Sequence, residues 1–318
     1  MYSKDILSSP ATQTYSSKTV SIKEIAPSTQ KGINLSPKVC AQLKELGLTL
    51  DSSVDFDSNG LLFEPGVYLC EGCSLDRPCI GAYSYSSINS SLTTVKVGRF
   101  CSIGHGVEFG LYEHPLHHVT TSPALSRNIF FMDRSGEIPS NHNQLRPDGL
   151  ETNVVTLGHD VWVGGHCLFP KDVTIGHGAV IGAGSIITHD VPPYAIVAGA
   201  GGGANSHGII RGYRFSDEVI SDLLELSWWD YDLPKMVASG IKVPTTDIRD
   251  FIAFMKNEER EHLISQPSTW YYLNAIDAHT VEVYRVNPEQ TFLGNAMSPA
   301  RIAVLEDPLV GRGRIISG

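Results

Sequence analysis

The amino-acid sequence predicts a mainly β fold: a left-handed parallel β-helix with a long excursion loop, a C-terminal capping helix and a small α+β C-terminal appendage. Three observations carry this. An internal period of six residues runs through the middle of the chain. Glycine is concentrated there: of 30 glycines in 318 residues, 19 fall between Gly98 and Gly212, where a background near ~7% gives about 22 in the whole chain. The period stops once, for about 45 residues, and then resumes.

From Leu157 onward every sixth residue is large and apolar: Leu157, Val163, Phe169, Ile175, Ile181 and Ile187. Four residues after each stands a small or apolar one, Val161, Cys167, Val173, Ala179, Ser185 and Val191. Glycine follows the first position at Gly158, Gly164, Gly176 and Gly182, and upstream Val97-Gly98 with Cys101 and Ile103-Gly104 with Val107 obey the same rule. Ile80-Gly81 fits it in part. Such a period matches neither an amphipathic helix nor a simple strand. It suits a chain that turns a corner every sixth residue, with glycine easing the bend, so that three sides make one coil of a triangular prism.

The elements follow in order. Residues 1–35, rich in Ser and Thr, read as a flexible arm, and 36–65 as a helical lead-in. Its helix runs from Ser36-Pro37 to Gly47 with Val39, Leu43 and Leu46 on one face. The β-helix occupies 66–212, with the loop 111–156 leaving from one corner of the prism. In 213–234, Ser216 is an N-cap followed by Asp217 and Glu218 in the first turn, and Val219, Ile220, Leu223, Leu224 and Leu226 continue a helix. Phe215 is placed to staple onto Ile220. That helix is expected to cover the open end of the coil stack, whose strand edges are otherwise unpaired. Residues 235–318 form the α+β extension, helical from Ile248 to Leu263 and strand-like from Thr280 to Val286.

Composition excludes several function classes. With 24 Lys+Arg against 34 Asp+Glu the net charge is −10 and no basic run exists, which argues against nucleic acid or an anionic membrane as partner. No apolar stretch approaches the ~18 to 20 residues that span a bilayer, and the N-terminal residues lack the apolar core of a signal peptide. A cytoplasmic location is expected. The six cysteines are too few for a disulfide scaffold in a chain of this length and fit reduced thiols. Cys70, Cys73 and Cys79, with Cys40 as a conceivable fourth ligand, lack a second Cys-x-x-Cys and are read as buried thiols rather than a metal site. Cys101 and Cys167 occupy inward hexad positions, and Trp228-Trp229 is read as packing against the prism end.

The runs Leu157-Gly158-His159-Asp160-Val161-Trp162-Val163-Gly164, Thr174 to Ser185 and Asp190 to Gly199 resemble the hexapeptide acyltransferases. Tyr83-Ser84-Tyr85, Val97 to Ile103, His114-Pro115 before Thr121-Ser122-Pro123, and Arg214-Phe215-Ser216 followed by Trp228-Trp229-Asp230 resemble their xenobiotic acetyltransferase branch, which includes streptogramin, chloramphenicol and glycan O-acetyltransferases. The likeness covers roughly residues 60 to 234. It implies a homotrimer with acetyl-CoA in a groove between neighbouring prisms. It assigns the catalytic histidine to His114, sets Trp162 beside the active site, and turns the Gly165 and Ala183 backbones toward the pantetheine arm. It further assigns Thr188, His189, Arg211 and Arg214 to the CoA nucleotide end and Tyr83 and Tyr85 to the acceptor pocket. Two departures are specific to this chain: a longer turn from Ala200 to Gly208, and His189 where the family often has lysine.

Moving an acyl group from a thioester to an alcohol needs a base for the hydroxyl proton, donors for the oxyanion and an acid for the thiolate. A histidine base deprotonates the acceptor itself, so no covalent enzyme intermediate is required. His117 and His118 share the loop with His114 and are alternative bases; Glu113, a carbonyl or a distant acid is to orient it. His159 and His177, 18 residues apart, are read as solvated. A zinc carbonic anhydrase is the metal-dependent alternative on this fold, but no second histidine lies near His166 in sequence, so no metal is expected. The expected activity is acetyl-CoA-dependent O-acetylation of a hydroxyl on a sugar or related small molecule. Antibiotic O-acetylation, N-acetylation of an amino sugar and a non-catalytic β-helix binding protein stay open beside it.

Overall fold

The computed structural model describes residues 20–23, 32–51, 53–56, 60–111, 119–121, 154–170, 172–199, 208–257, 263–286, 302–305 and 314–317. A three-sided parallel β-helix of about six coils forms its centre. The first face stacks Leu61–Phe63, Cys79–Ile80, Val95–Val97, Val155–Leu157 and Val173–Ile175. The second stacks Leu48–Leu50, Val67–Leu69, Tyr85–Ser86, Ser102–Ile103, Trp162–Val163, Val180–Ile181 and Ala195–Ala198. The third stacks Asp55–Phe56, Ser74–Asp76, Ser91–Thr93, Glu108–Phe109 and Leu168–Phe169. All twelve inward positions read from the period between Leu157 and Val191 are buried. The break in the period does not shift the coil, because Val97 pairs directly with Leu157.

Glycine does a different job from the one expected. The residues in the left-handed region come two positions later, and at the first corner, between first and second faces, they are Gly66, Tyr83, Phe100, Asp160, Gly178 and Tyr194, with φ from +57° to +95°. Gly98, Gly158 and Gly176 serve close approach instead. A Cβ on Gly98 would lie 2.4 Å from the Gly158 carbonyl oxygen, and one on Gly176 2.4 Å from the Pro193 nitrogen.

The prism begins at Leu48, not at residue 66, so the lead-in of 36–65 divides into one helix and a first coil. The glycine signal fails in that coil because Glu64 holds the register that Gly81, Gly98 and Gly158 hold above it. Helix α1, Pro37–Glu45, is as expected: Ser36 Oγ accepts the Val39 N–H at 3.4 Å, and Val39 and Leu43 are buried in the prism core.

The C-terminal third departs more. Beyond the antiparallel strand Ile209–Tyr213, which pairs with Ala195–Ala198, come α2, Asp217–Leu226, α3, Leu233–Ala238, and α4, Ile248–Lys256. Ser216 takes the N-cap position with extended backbone, but its side chain makes no capping bond. Helix α2 does not cover the end of the stack. Its apolar side packs with Tyr194, Phe251, Ile252 and Met255 on the flank, where an amphipathic helix finds a ready apolar partner. Gly208 lies over the last coil instead, so close to Ile187 and Val197 that a Cβ there would meet both at 2.6 Å.

The chain then runs back along the first corner toward the first coil. Strand Trp270–Asp277, not foreseen, forms a hairpin with the expected strand Thr280–Val286 and pairs antiparallel with Leu61–Phe63. The appendage thereby closes the starting edge of the first face. All six cysteines are free thiols, and burial pushes Cys101 up to about 12. Among the described residues no helix is long and apolar enough to cross a membrane, and no group of three or more His, Cys, Asp or Glu is placed to hold a metal ion.

Candidate active site

The second corner lies between the second and third faces. Two hexads whose corners read Gly164-Gly165 and Gly182-Ala183 stack there, and a Cβ on Gly164 would lie 2.5 Å from the Ala183 nitrogen. Neither the Gly165 nor the Ala183 N–H donates to a partner among the described residues, whereas Gly184 N–H donates to Gly165 O at 2.9 Å. Ala183 is exposed. Trp162 stands beside this track on the second face, 56% exposed, in register with Ser102 and Val180. The same face presents Tyr68 and Tyr85, 39% and 43% exposed, directly opposite each other.

The other expected site residues fall in several places. Thr188 and His189 lie in the last coil, with Thr188 Oγ1 and His189 Nδ1 3.0 Å apart. Arg211 is exposed on the strand that follows that coil. Arg214 is engaged: its Nη1 donates to Asp160 Oδ2 and to Gly178 O, both at 2.8 Å, while its guanidinium lies over the Tyr194 and Phe215 rings. Tyr83 sits at the first corner with φ +61°, and its hydroxyl donates to Asp232 Oδ1 at 2.7 Å. Tyr83 and Tyr85 therefore occupy a corner and an open face rather than one wall. His114, with Glu113, His117 and His118, lies outside the described residues.

His159 and His177 are not solvated. They stack in parallel under Trp229, with centroids 5.0 Å apart from each other and 5.0 and 4.4 Å from the indole. Trp229 thus packs against the flank of the prism and not its end. Each Nδ1 accepts a backbone N–H from the coil below, Arg99 to His159 and His159 to His177, both at 2.9 Å, which fixes the neutral tautomer with the proton on Nε2. Burial, the neighbouring His177 and Arg99 hold His159 well below the usual histidine range, and burial lowers His177 to about 4.

Below this stack Arg99 makes a bidentate pair with the fully buried Glu64, at 2.6 and 2.7 Å, and a third bond to Asp230 at 3.1 Å. Extending the period one coil back, from Ile80-Gly81 to Phe63-Glu64, would have found Glu64. Another arrangement had no sequence signal: His105, one coil below Gly165, meets His166 edge-on with centroids 4.5 Å apart.

A scan against protein-family models finds none that matches the chain. Among curated proteins it is 39% identical over 143 residues to chloramphenicol acetyltransferase of Klebsiella aerogenes, covering 45% of this chain and 62% of that enzyme. It is 36% identical over 165 residues to chloramphenicol acetyltransferase of Agrobacterium fabrum, covering 51% and 72%. To galactoside O-acetyltransferase of Escherichia coli it is 31% identical over 140 residues, 43% and 55%. The aligned part thus spans less than two thirds of the Klebsiella enzyme and more than two thirds of the Agrobacterium one. Likeness of this extent, on a coil stack with the hexad corners just described, means that the chain belongs to the hexapeptide-repeat acyltransferases, in their xenobiotic acetyltransferase branch.

Proposed function

We propose that this protein is an acetyl-CoA-dependent O-acetyltransferase acting on a hydroxyl of a sugar or a related small molecule. The observation that carries the reading is the track at the second corner, where the Gly165 and Ala183 N–H groups stand one coil apart beside Trp162 with no partner among the described residues. A pantetheine arm carries two amides, and donors at the ~4.8 Å coil spacing suit them. In this reading Thr188, His189 and Arg211 meet the nucleotide end, Arg214 stiffens the adjoining strand through Asp160, and Tyr85 borders the acceptor, while Tyr83 is held at the first corner by Asp232.

His114 is the general base. It removes the acceptor hydroxyl proton as the oxygen attacks the thioester carbonyl, and backbone N–H groups at a coil corner hold the oxyanion. No acyl-enzyme forms. The exposed Tyr68, Tyr85 and Trp162 on the second face suit contact with a neighbouring prism, so the working unit is a homotrimer with acetyl-CoA between subunits. Six free thiols fit a reducing, cytoplasmic compartment.

The test is thiol release from acetyl-CoA with a panel of sugar and antibiotic alcohols. His114→Ala is expected to lose about 10²- to 10⁴-fold in kcat. Equal rates in wild type and variant, or no release with any alcohol, overturn the reading.

A further inference from the structure

We propose that His105 is a further catalytic residue, one that protonates the sulfur of the departing CoA thiolate; this rests on the second corner being the pantetheine track. His105, Gly165 and Ala183 follow one another coil by coil in a single line. His166 N–H donates to His105 O at 2.8 Å, and Gly184 N–H to Gly165 O at 2.9 Å, which ties the three coils together in register. The His105 imidazole lies against the Gly165 backbone: a Cβ on Gly165 would be 2.7 Å from His105 Cε1 and 2.9 Å from Nδ1. His166 meets the ring from the side, at an interplanar angle of 84°.

The four histidines at the two corners divide into two kinds. His159 and His177 have their Nδ1 atoms taken by backbone N–H groups and their faces covered by Trp229. His105 is exposed, and neither of its nitrogens has a hydrogen-bond partner among the described residues.

The chemistry of the arm says which part of the ligand arrives there. In pantetheine two methylenes separate the amides and two more separate the second amide from sulfur, so each interval is about one coil spacing of ~4.8 Å. With the nucleotide at the last coil and the amides at Ala183 and Gly165, the sulfur falls at the next register, that of His105. As the acceptor oxygen forms its bond to the acetyl carbon and its proton passes to the base, the C–S bond breaks and its electron pair goes to sulfur. The protonated His105 imidazole gives that sulfur its proton. CoA leaves as the thiol, and the imidazole is reprotonated from solvent, which receives the proton released by the base.

Binding to the full-length protein gives a test that needs no acceptor. Wild type is expected to hold CoA about fivefold tighter than desulfo-CoA, the worth of one hydrogen bond to sulfur, and His105→Ala to hold the two equally. With an alcohol that releases thiol, His105→Ala is expected to lose about 10²-fold in kcat without loss of desulfo-CoA affinity, and His105→Gln not to restore the rate. A His105→Ala protein that keeps the preference for CoA, or a His105→Gln protein as fast as wild type, overturns the proposal. Ala183→Trp probes the track separately. If it binds both ligands as wild type does, the track reading fails and takes the proposal with it; if it binds neither while His105→Ala behaves as wild type, only the role of His105 falls.

Discussion

Gly98 and Gly184 separate two reasons for glycine that a period alone merges. At Gly98 a methyl group would meet the Gly158 carbonyl at 2.4 Å, with ordinary backbone angles, whereas at Gly184 φ is +70° and a methyl group would meet nothing within 4 Å. Gly98→Ala must push two coils apart and is expected to cost about 1–3 kcal/mol or more, as overpacking does. Gly184→Ala bears only the left-handed conformation, about 1–2 kcal/mol. Denaturant midpoints of the two variants check this, and a Gly98→Ala protein as stable as wild type would show that the coils have slack. The sequence displayed the glycine column because every coil repeats one environment, but it could not tell approach from bend. Trp162, Gly165 and Ala183 were legible as a group through the family resemblance, which assigns them position by position on the coil. His105 and His166 were not: the excursion separates partners that are neighbours across one coil step.

Between the first corner and the segment that runs over it, Trp229 and the two imidazoles form a single stacked unit. Its ionisation is predictable in sign. Both histidines have folded pKa values below the ordinary 6.5, His177 at about 4, so the folded state binds fewer protons than the unfolded one as pH falls. The stability they support is complete above about pH 6.5 and is lost as pH falls below it, down to about pH 4 for His177, by up to ~1.4 kcal/mol per pH unit for each. His177→Asn keeps an acceptor near the Nδ1 position and removes the titration. Thermal midpoints from about pH 7 to about pH 5 should fall less steeply for that variant than for wild type; parallel slopes would mean that another group governs acid sensitivity. Reading these histidines as solvated followed from their outward hexad position, which describes one coil stack and says nothing of what the chain later lays over it.

On the scale of the whole molecule, the last third of the chain covers one raw edge of the stack. The strand Trp270–Asp277 covers the edge of Leu61–Phe63. A chain ending at Asn257 keeps the coils and α1 to α4 but exposes that edge. It is expected to retain β-type circular dichroism while self-associating through the open strand, seen as a rise in mass by light scattering. Unchanged mass at equal concentration would show that the hairpin is not the cap. No hexad marks this segment, so its role was invisible in sequence until the first coil, obscured by Glu64 in a glycine register, was in place.

The return segment also sets a limit on how this molecule can vary. Arg214 with Asp160, Trp229 with His177 and His159, Asp230 with Arg99, and Asp232 with Tyr83 join it to successive levels of the prism. An ordinary solenoid gains or loses a repeat while its remaining neighbours stay satisfied. Here a duplicated or deleted coil would leave a strap of the wrong length, and every pairing beyond the change would miss its partner by one level. Growth by whole repeats is thus closed to this chain. New length is admissible where it leaves the register of the coils untouched, as the insertion between Gly110 and Val155 does, across which the coil keeps its phase.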